Sequence, residues 1–237
     1  MVHRSTFFVA SLLTLTLLIP GCSKKDSSPT EAQTSPPTIP ALIFFKGPNT
    51  NSTETNAQMI KSYVSTMNSF TTMFVPYQYI QSVQNGNTWT WNYTDQTLTV
   101  KMTATSQSDG GYLWKLILNG KDPSDGVTYN NWTGMEGTTS ADGKSGIWKI
   151  YQENTTILAT DFTWSTTNSV LTGTQKNYTG EGPTSQIVLV NNPDNTGEMR
   201  IYTGSVVTYK ATWTAAGSGQ WWTFNSSGVQ TGTGSWT

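Results

Sequence analysis

The chain has 237 residues, a formal net charge of −1 and only 11% charged residues. It therefore lacks the basic excess expected of a nucleic-acid-binding protein or of a polybasic membrane-surface patch. The sequence contains a single cysteine, which excludes a disulfide within one chain, so stability has to come from packing.

The N-terminal segment has the pattern of a secretory signal. Arg4 precedes the apolar run Phe7–Ile19, which is too short for a confident membrane span, and small residues follow. The segment Leu18–Cys22 resembles the lipobox of bacterial lipoproteins, in which the cysteine becomes the lipidated N-terminus. It matches that pattern except at Pro20, where a small residue is usual.

This resemblance implies a signal peptide over residues 1–21 and a lipid-anchored protein of the bacterial cell envelope that begins at Cys22. Ser23 resembles the outer-membrane sorting signal of enteric bacteria. Residues 22–40 carry four prolines and many polar residues, with almost nothing apolar, which is typical of a flexible linker. Residues 41–237 have the length of a single domain with its own core.

The segment Thr53–Phe74 predicts one amphipathic helix, because apolar residues recur every three or four positions. Thr55–Gln58 offers a capping box, Ser52 or Thr53 offers an earlier cap, and Pro76 disfavours helix at the residue before it. We expect the apolar stripe to dock on the core of the same fold. The stripe consists of Met59, Ile60, Tyr63, Val64, Met67, Phe70 and Phe74.

After Gly86 the hydrophobic period changes to two, which is typical of strands with one buried face. Residues 88–94 and 97–104 alternate in this way on either side of Asp95-Gln96 and predict a hairpin, and residues 207–214 repeat the pattern. Turn signals punctuate the region and imply about ten to twelve short strands. They are Asp109-Gly110, Asn119-Gly120, Asp125-Gly126, Asp142-Gly143, Thr196-Gly197, Ser218-Gly219 and Ser227-Gly228.

No helical crossover is predicted after Gly86, so successive strands should pair antiparallel as a meander. A meander of this length is expected to curl into a barrel or half-barrel, or to fold over as a sandwich. We predict a mainly β fold with one N-terminal amphipathic helix. The architecture resembles lipocalin-like and half-barrel envelope lipoproteins, although the lipocalin helix follows its barrel.

A weak internal repeat favours hairpins as the building unit of this region. Similar glycine-led, aromatic segments begin at Gly111, Gly146, Gly197 and Gly219. Their spacing is irregular, which argues against a solenoid or propeller.

Several kinds of catalytic site are excluded. His3 falls in the expected signal peptide and Cys22 is used by the lipid, so the mature chain has no imidazole or thiol for a triad or a zinc site. Gly137–Ser145 resembles a phosphate loop with one residue too many, and we interpret it as a hairpin loop. Asn192–Gly197 resembles the start of a calcium loop, but Thr203 stands where glutamate is required, so a turn is favoured. We expect no catalytic residues, metal or cofactor.

Carboxylates keep a hydrolase open as a minor alternative, since a glycosidase needs only two of them. No pair is singled out by spacing, and each acid is expected to be solvated. The acids near predicted strands and loops are Glu136, Glu153, Asp161, Glu181 and Glu198.

The adjacent pair Trp221-Trp222 is the best candidate for a binding platform. Consecutive strand residues point to opposite faces, so if Trp222 and Phe224 face the core, Trp221 faces outward near Asn225. An exposed tryptophan there would offer a stacking surface for a sugar ring or a partner protein.

Two kinds of function follow. The first is a non-enzymatic carrier that holds a small hydrophobic or amphipathic ligand inside a curled sheet, with the helix carrying Met59, Met67 and Met73 as an adaptable lid. The alternative is a glycan- or protein-interaction module with a solid core. A transmembrane barrel is disfavoured because several strands look too short. The expected partners are the membrane, through the lipid, and a hydrophobic molecule or glycan, with no nucleic acid. Sequence leaves the oligomeric state open.

Overall fold

A computed structural model describes residues 35–37, 44–180 and 182–237. Cys22, the expected signal peptide and most of the expected linker lie outside these residues. Pro36–Thr237 belong to one compact unit.

The described chain contains one α-helix, one 3₁₀ helix and thirteen strands. Helix α1 spans Thr55–Thr72, and the 3₁₀ helix spans Val75–Tyr79. The strands are β1 Val83–Asn85, β2 Thr88–Asp95, β3 Leu98–Ser106, β4 Tyr112–Lys121, β5 Thr128–Thr139, β6 Ser145–Tyr151, β7 Leu158–Thr167, β8 Val170–Tyr178, β9 Pro183–Asn191, β10 Gly197–Thr203, β11 Val206–Trp213, β12 Gly219–Phe224 and β13 Gln230–Trp236.

All thirteen strands form one sheet in which each pairs with its neighbours in the chain, in order from β1 to β13. The pairing is antiparallel throughout, so the predicted meander with one N-terminal helix is confirmed. Twelve strands follow Gly86, and β1 adds one more by pairing with the start of β2. In the described residues β1 and β13 do not pair, so the sheet is open as in a half-barrel rather than closed.

Helix α1 packs its apolar stripe on one face of the sheet, called here the helix-facing face. The Phe70 ring stacks on Phe162 of β7 with centroids 5.4 Å apart, and Phe74 lies 4.6 Å from Trp148 of β6. Met67, three residues before Phe70, is fully buried. The helix and the sheet therefore share one hydrophobic core, as expected for the stripe.

The cap of α1 differs from the predicted capping box. The Glu54 carboxylate accepts hydrogen bonds from the backbone N–H groups of Asn56 and Ala57, at 2.8 and 3.0 Å, and Ser52 Oγ accepts from Glu54 N. Burial opposes ionisation of Glu54, but these bonds outweigh it and hold its pKa below the ordinary value. A carboxylate takes this role because the helix N-terminus exposes unpaired donors and a positive dipole end.

One predicted turn is a bulge instead. Asn119-Gly120 lies inside β4, where the register to β5 shifts between Leu118 and Gly120. Gly120 has φ +107°, and a Cβ there would lie 2.0 Å from the Thr97 carbonyl oxygen. Glycine is needed at this position because the backbone is left-handed and a neighbouring carbonyl approaches closely.

The two motif-like loops are hairpin turns, as predicted. Residues 140–144 join β5 to β6, and hydrogen bonds from Lys144 N and Ser140 Oγ lower the Asp142 pKa to about 2. Residues 192–196 join β9 to β10, where Asp194 Oδ1 accepts from both N and Oγ1 of Thr196. Within the part of the chain that the structure describes, no three His, Cys, Asp or Glu side chains converge as a metal site would require.

The segment before α1 is held between the helix and the sheet by two asparagines. Asn68 of α1 exchanges two hydrogen bonds with the backbone of Phe45, and the buried Asn191 of β9 does the same with Lys46, at 2.8 Å each way. The Phe45 ring packs over Gly173, where a Cβ would lie 2.2 Å from the ring. These contacts fix the position of the segment on the core.

Candidate functional site

The two rings of the Trp221-Trp222 pair face the opposite sides of the sheet from those considered in the sequence analysis, so Trp221 faces the core. Trp221 stands opposite Ala211 on the helix-facing face and packs against the core, while the Lys210 ammonium lies 5.6 Å from the Trp222 ring on the other face. A Cβ on Gly234 of β13 would lie 2.6 Å from the Trp221 ring. The ring takes the helix-facing side because glycine in the next strand leaves room for it there.

Asn225 belongs to the turn between β12 and β13 rather than to a platform beside Trp221. Its Oδ1 accepts hydrogen bonds from the backbone N–H groups of Ser227 and Val229, both at 3.0 Å. Asn225 is exposed, but four residues of extended strand separate it from Trp221 by about 13 Å. The structure therefore does not bring these two residues into one site.

A groove opens instead beside β5. This strand pairs with β4 over most of its length but with β6 only over Met135–Thr139. The unpaired part of β5 and the turn between β6 and β7 leave an open groove of about 880 Å³. It is lined by Glu136, Tyr151 and residues 130–133 and 154–157, and is called here the β5–β6 groove.

Trp132 supplies the aromatic wall of this groove and is held on two sides. Its ring stacks on the buried Tyr129 with centroids 5.2 Å apart and planes at 14°, and its Nε1 donates to the Thr155 carbonyl at 2.9 Å. Burial, with Glu153 and Asp125 nearby, raises the pKa of Tyr129 to about 12. The phenol is therefore neutral at physiological pH, and the Trp132 indole is fixed against it.

Glu136 supplies a negatively charged acceptor in the groove. Its Oε1 accepts a hydrogen bond from Tyr151 Oη at 2.6 Å, and its Oε2 lies 3.9 Å from Lys115 Nζ. Burial and the bond to Glu136 raise the pKa of Tyr151 to about 12. At neutral pH the groove therefore presents a carboxylate flanked by a phenol that keeps its proton.

Asparagine carboxamides complete the lining. Asn131 and Asn154 have left-handed backbones, with φ +48° and +54°, a conformation that asparagine tolerates better than most residues. Asn154 Nδ2 donates to the Thr128 carbonyl at 3.1 Å and joins the two sides of the groove, while Asn130 is exposed at its mouth. Carboxamides offer both donors and acceptors, as recognition of hydroxyl groups requires.

The other acids considered from the sequence are dispersed. Asp161 is buried on β7 and accepts from Tyr178 Oη at 2.6 Å, and Glu198 of β10 pairs with Arg200 and Lys210. Glu153 lies in the exposed turn between β6 and β7, and Glu181 lies outside the described residues. Among the described residues, Glu136 is the one carboxylate that lines the β5–β6 groove.

Sequence reasoning did not single out Trp132 or Tyr151. The sequence did contain a sign of this site. Tyr129 and Trp132 are three residues apart, so two neighbouring aromatic residues on β5 do not follow the two-residue alternation of a regular strand. Register shifts do occur there, where β5 runs against Ile117 and Gly120 of β4. A break in period two inside a strand is a mark of a bulge, and bulges often lie next to binding sites.

Comparisons with known proteins identify no family for this chain, so the assignment of a function depends on the contacts described above. No protein-family model matches the chain, and no curated protein matches it in sequence.

Proposed function

We propose that this protein is a lipid-anchored protein of the bacterial cell envelope, tethered through Cys22 at the outer membrane, whose β domain binds a glycan at the β5–β6 groove. The lipobox resemblance supports the anchor. No helix in the described ranges is long and apolar enough to cross a membrane.

The observation that carries the glycan proposal is the fixed Trp132 ring beside Glu136 in an open, amide-lined groove. Sugars present apolar C–H faces that pack on aromatic rings and hydroxyl groups that bond to carboxylates and carboxamides. The groove offers both kinds of contact within a volume suited to a small ligand. A neutral saccharide fits best, because the described lining includes the Glu136 carboxylate but no lysine or arginine that would bind an acidic one.

The packing of α1 favours this surface site over an apolar carrier. Phe70 of α1 and Phe74 just after the helix pack on rings of the sheet, and Met67 is buried in the same core, so the helix occupies the face that a carrier would use for its ligand. Binding of a hydrophobic molecule there would require α1 to leave the sheet. The carrier hypothesis predicts a small molecule that co-purifies with the full-length protein and is released on denaturation.

The proposed role is binding rather than glycoside hydrolysis. Hydrolysis by the common mechanism requires two carboxyl groups about 5–10 Å apart around the scissile bond. Within the described residues the groove is lined by Glu136 alone among the acids. The wider envelope role is therefore that of an adhesion or recognition module.

The binding test is calorimetric titration of the full-length protein in detergent with cellotetraose, chitotetraose and an oligogalacturonate. We expect binding of a neutral oligosaccharide and none of the acidic one. Trp132→Ala should weaken binding at least about tenfold, since a ligand stacked on an aromatic ring gains on the order of 1.4 kcal/mol from that contact. Trp222→Ala, on the face opposite the helix, is the matched control and should bind normally.

A second variant separates binding from folding. Asn130 is exposed, so Asn130→Ala should weaken saccharide binding without changing the thermal unfolding midpoint. Absence of binding by all three saccharides, or equal loss in Trp132→Ala and Trp222→Ala, would contradict the glycan proposal.

The anchor has its own test. Cys22→Ser should abolish incorporation of labelled palmitate and release the protein from the membrane fraction, because the thiol that carries the lipid is gone. Membrane association that persists in this variant would reject the lipid anchor.

A further inference from the structure

A second groove lies between the segment before α1, the helix itself and the turns after β9 and β11. It has a volume of about 740 Å³, and its lining includes Lys46, Lys61, Asn49, Asn51, Asn68 and Asn195. It is called here the lysine groove. It shares no lining residue with the β5–β6 groove, so an inference about it does not rest on the proposed function.

The two lysines bring positive charge into this groove, and among the described residues neither has a carboxylate within ion-pair distance. Lys46 Nζ donates to Asn195 Oδ1 at 2.8 Å, and Lys61 Nζ donates to the Thr50 carbonyl. Both acceptors are neutral, and neither lysine forms an ion pair within the described ranges. An ammonium group has three donors, so each lysine keeps hydrogen-bonding capacity for a ligand.

The nearest acid in sequence forms no ion pair with either lysine. Asp194 adjoins Asn195, but its Oδ1 accepts from N and Oγ1 of Thr196 instead. No carboxylate is part of the described lining. By contrast, Lys144 and Lys210 elsewhere on the surface each pair with an acid, Asp142 and Glu198 respectively.

The backbone that carries Lys46 is held in place before any ligand binds. Asn191 hydrogen-bonds both N and O of Lys46, and Asn68 does the same for Phe45, whose ring is buried against Gly173. Lys61 projects from the middle of α1. The two charges therefore come from rigid elements, which lowers the ordering cost of binding.

We propose that the lysine groove binds a phosphate group. Lysine acts toward phosphate as a point charge, and the exposed carboxamides of Asn49 and Asn51 in the lining supply neutral donors to the remaining oxygens. The groove is larger than one phosphate ion, so it accommodates a phosphate carried on a polar body such as a headgroup. Free phosphate and a glycerol-linked phosphate share this chemistry and are separated by the test.

The test is isothermal titration calorimetry of the full-length protein in non-ionic detergent at low salt. The probes are inorganic phosphate and glycerol phosphate, with glycerol as the uncharged control. We expect one of the phosphate probes to bind, glycerol not to bind, and added salt to weaken the binding. Tighter binding of glycerol phosphate than of inorganic phosphate would identify a headgroup-like ligand, and the reverse order would identify the free ion.

Variants assign the binding to the groove. Lys46→Gln and Lys61→Gln should each weaken the tighter probe at least about tenfold, equivalent to about 1.4 kcal/mol. Lys101→Gln removes an exposed lysine on β3 and should leave affinity unchanged. If Lys61→Gln fails to fold, Lys46→Gln still tests the proposal, because Lys46 is exposed and its replacement should leave the fold intact. No heat from either phosphate probe, or an equal loss in Lys46→Gln and Lys101→Gln, overturns the proposal.

Discussion

The indole of Trp164 lies directly over Gly146 of the neighbouring strand, so closely that a Cβ on this glycine would stand 2.3 Å from a ring carbon. The same relationship recurs between Trp213 and Gly197, at 2.2 Å, and between Trp236 and Gly219, at 2.1 Å. The rings cover glycines that would otherwise leave the sheet unpacked. These pairs give the weak sequence repeat a physical basis, since three of its glycines lie beneath tryptophans.

Gly146→Ala should therefore destabilise the protein by about 1–3 kcal/mol, the usual cost of overpacking a core. Gly182→Ala is the matched control, because a Cβ at that glycine meets nothing within 4 Å and the expected change is within about 0.5 kcal/mol. Denaturant unfolding measures both. Adding Trp164→Phe should recover part of the loss in Gly146→Ala, and equal effects of the two alanine variants would disprove the close-packing account.

Removal of the Glu54 cap should destabilise α1. Glu54→Ala leaves the N–H groups of Asn56 and Ala57 without their carboxylate, and we expect a loss of about 0.5–2 kcal/mol in the free energy of unfolding. Glu153→Ala removes an exposed acid in a turn and should be nearly neutral. Chemical denaturation followed by circular dichroism compares the two variants.

The cap also predicts a pH dependence. The pKa of Glu54 is lowered from its ordinary value of 4.5, so its stabilisation is fully present above pH 4.5 and is lost as the pH falls through the lower folded-state pKa. The difference in the free energy of unfolding between wild type and Glu54→Ala should therefore decrease as the pH falls below 4.5. A gap that is constant across this window would show that ionisation of Glu54 does not matter.

The Asn191 carboxamide should be important for stability. It is buried and serves both backbone groups of Lys46, so Asn191→Ala removes the partner of a donor and of an acceptor, at a total cost of about 1–3 kcal/mol. Asn87→Ala removes two exposed hydrogen bonds, one to the Ser106 carbonyl and a long one from Thr88 Oγ1, and should change stability little. Equal unfolding midpoints for the two variants would show that the hydrogen bonds of Asn191 to the Lys46 backbone do not stabilise the fold.

We expect the Tyr151 phenol to lose its proton at a higher pH than an ordinary tyrosine. Burial and the hydrogen bond to Glu136 raise its pKa from 10.0 to about 12, so the contribution of the neutral phenol to stability is fully present below pH 10 and is lost as the pH rises through about 12. The difference in tyrosinate absorbance between wild type and Tyr151→Phe reports this titration. A difference spectrum with a midpoint near 10 would contradict the hydrogen bond.

The predictable part of the fold comes from patterns that are local in the chain. The stripe from Met59 to Phe74 and the alternation around Trp89 follow from the periods of helix and strand, which any sequence must obey to bury one face. The hairpin at Asp95-Gln96 was predicted in the same way and is present. The turn predicted at Asn119-Gly120 is wrong because a glycine with positive φ suits a bulge as well as a turn, and only the register of β4 against β5 distinguishes the two.

The candidate site was much less predictable. The outward orientation considered for Trp221 depended on which face of β12 meets the core, and a shift of one residue exchanges all the faces of a strand. Gly232 and Gly234 of β13 decide it by leaving space on the helix-facing side. The contact between Trp132 and the Thr155 carbonyl joins residues 23 apart in the chain, and no local sequence pattern predicts it.

By itself the sequence determined the fold class, the single helix and the hairpin order, and it predicts the anchor at Cys22, because each of these depends on composition and short periods. The tertiary structure alone decided that the helix stripe packs on β6 and β7, that Glu136 and Tyr151 meet Trp132 in one groove, and that Lys46 and Lys61 share another. These features depend on strand register, bulges and long-range hydrogen bonds. Such contacts are set by the packing of distant segments, which local periodicity does not encode.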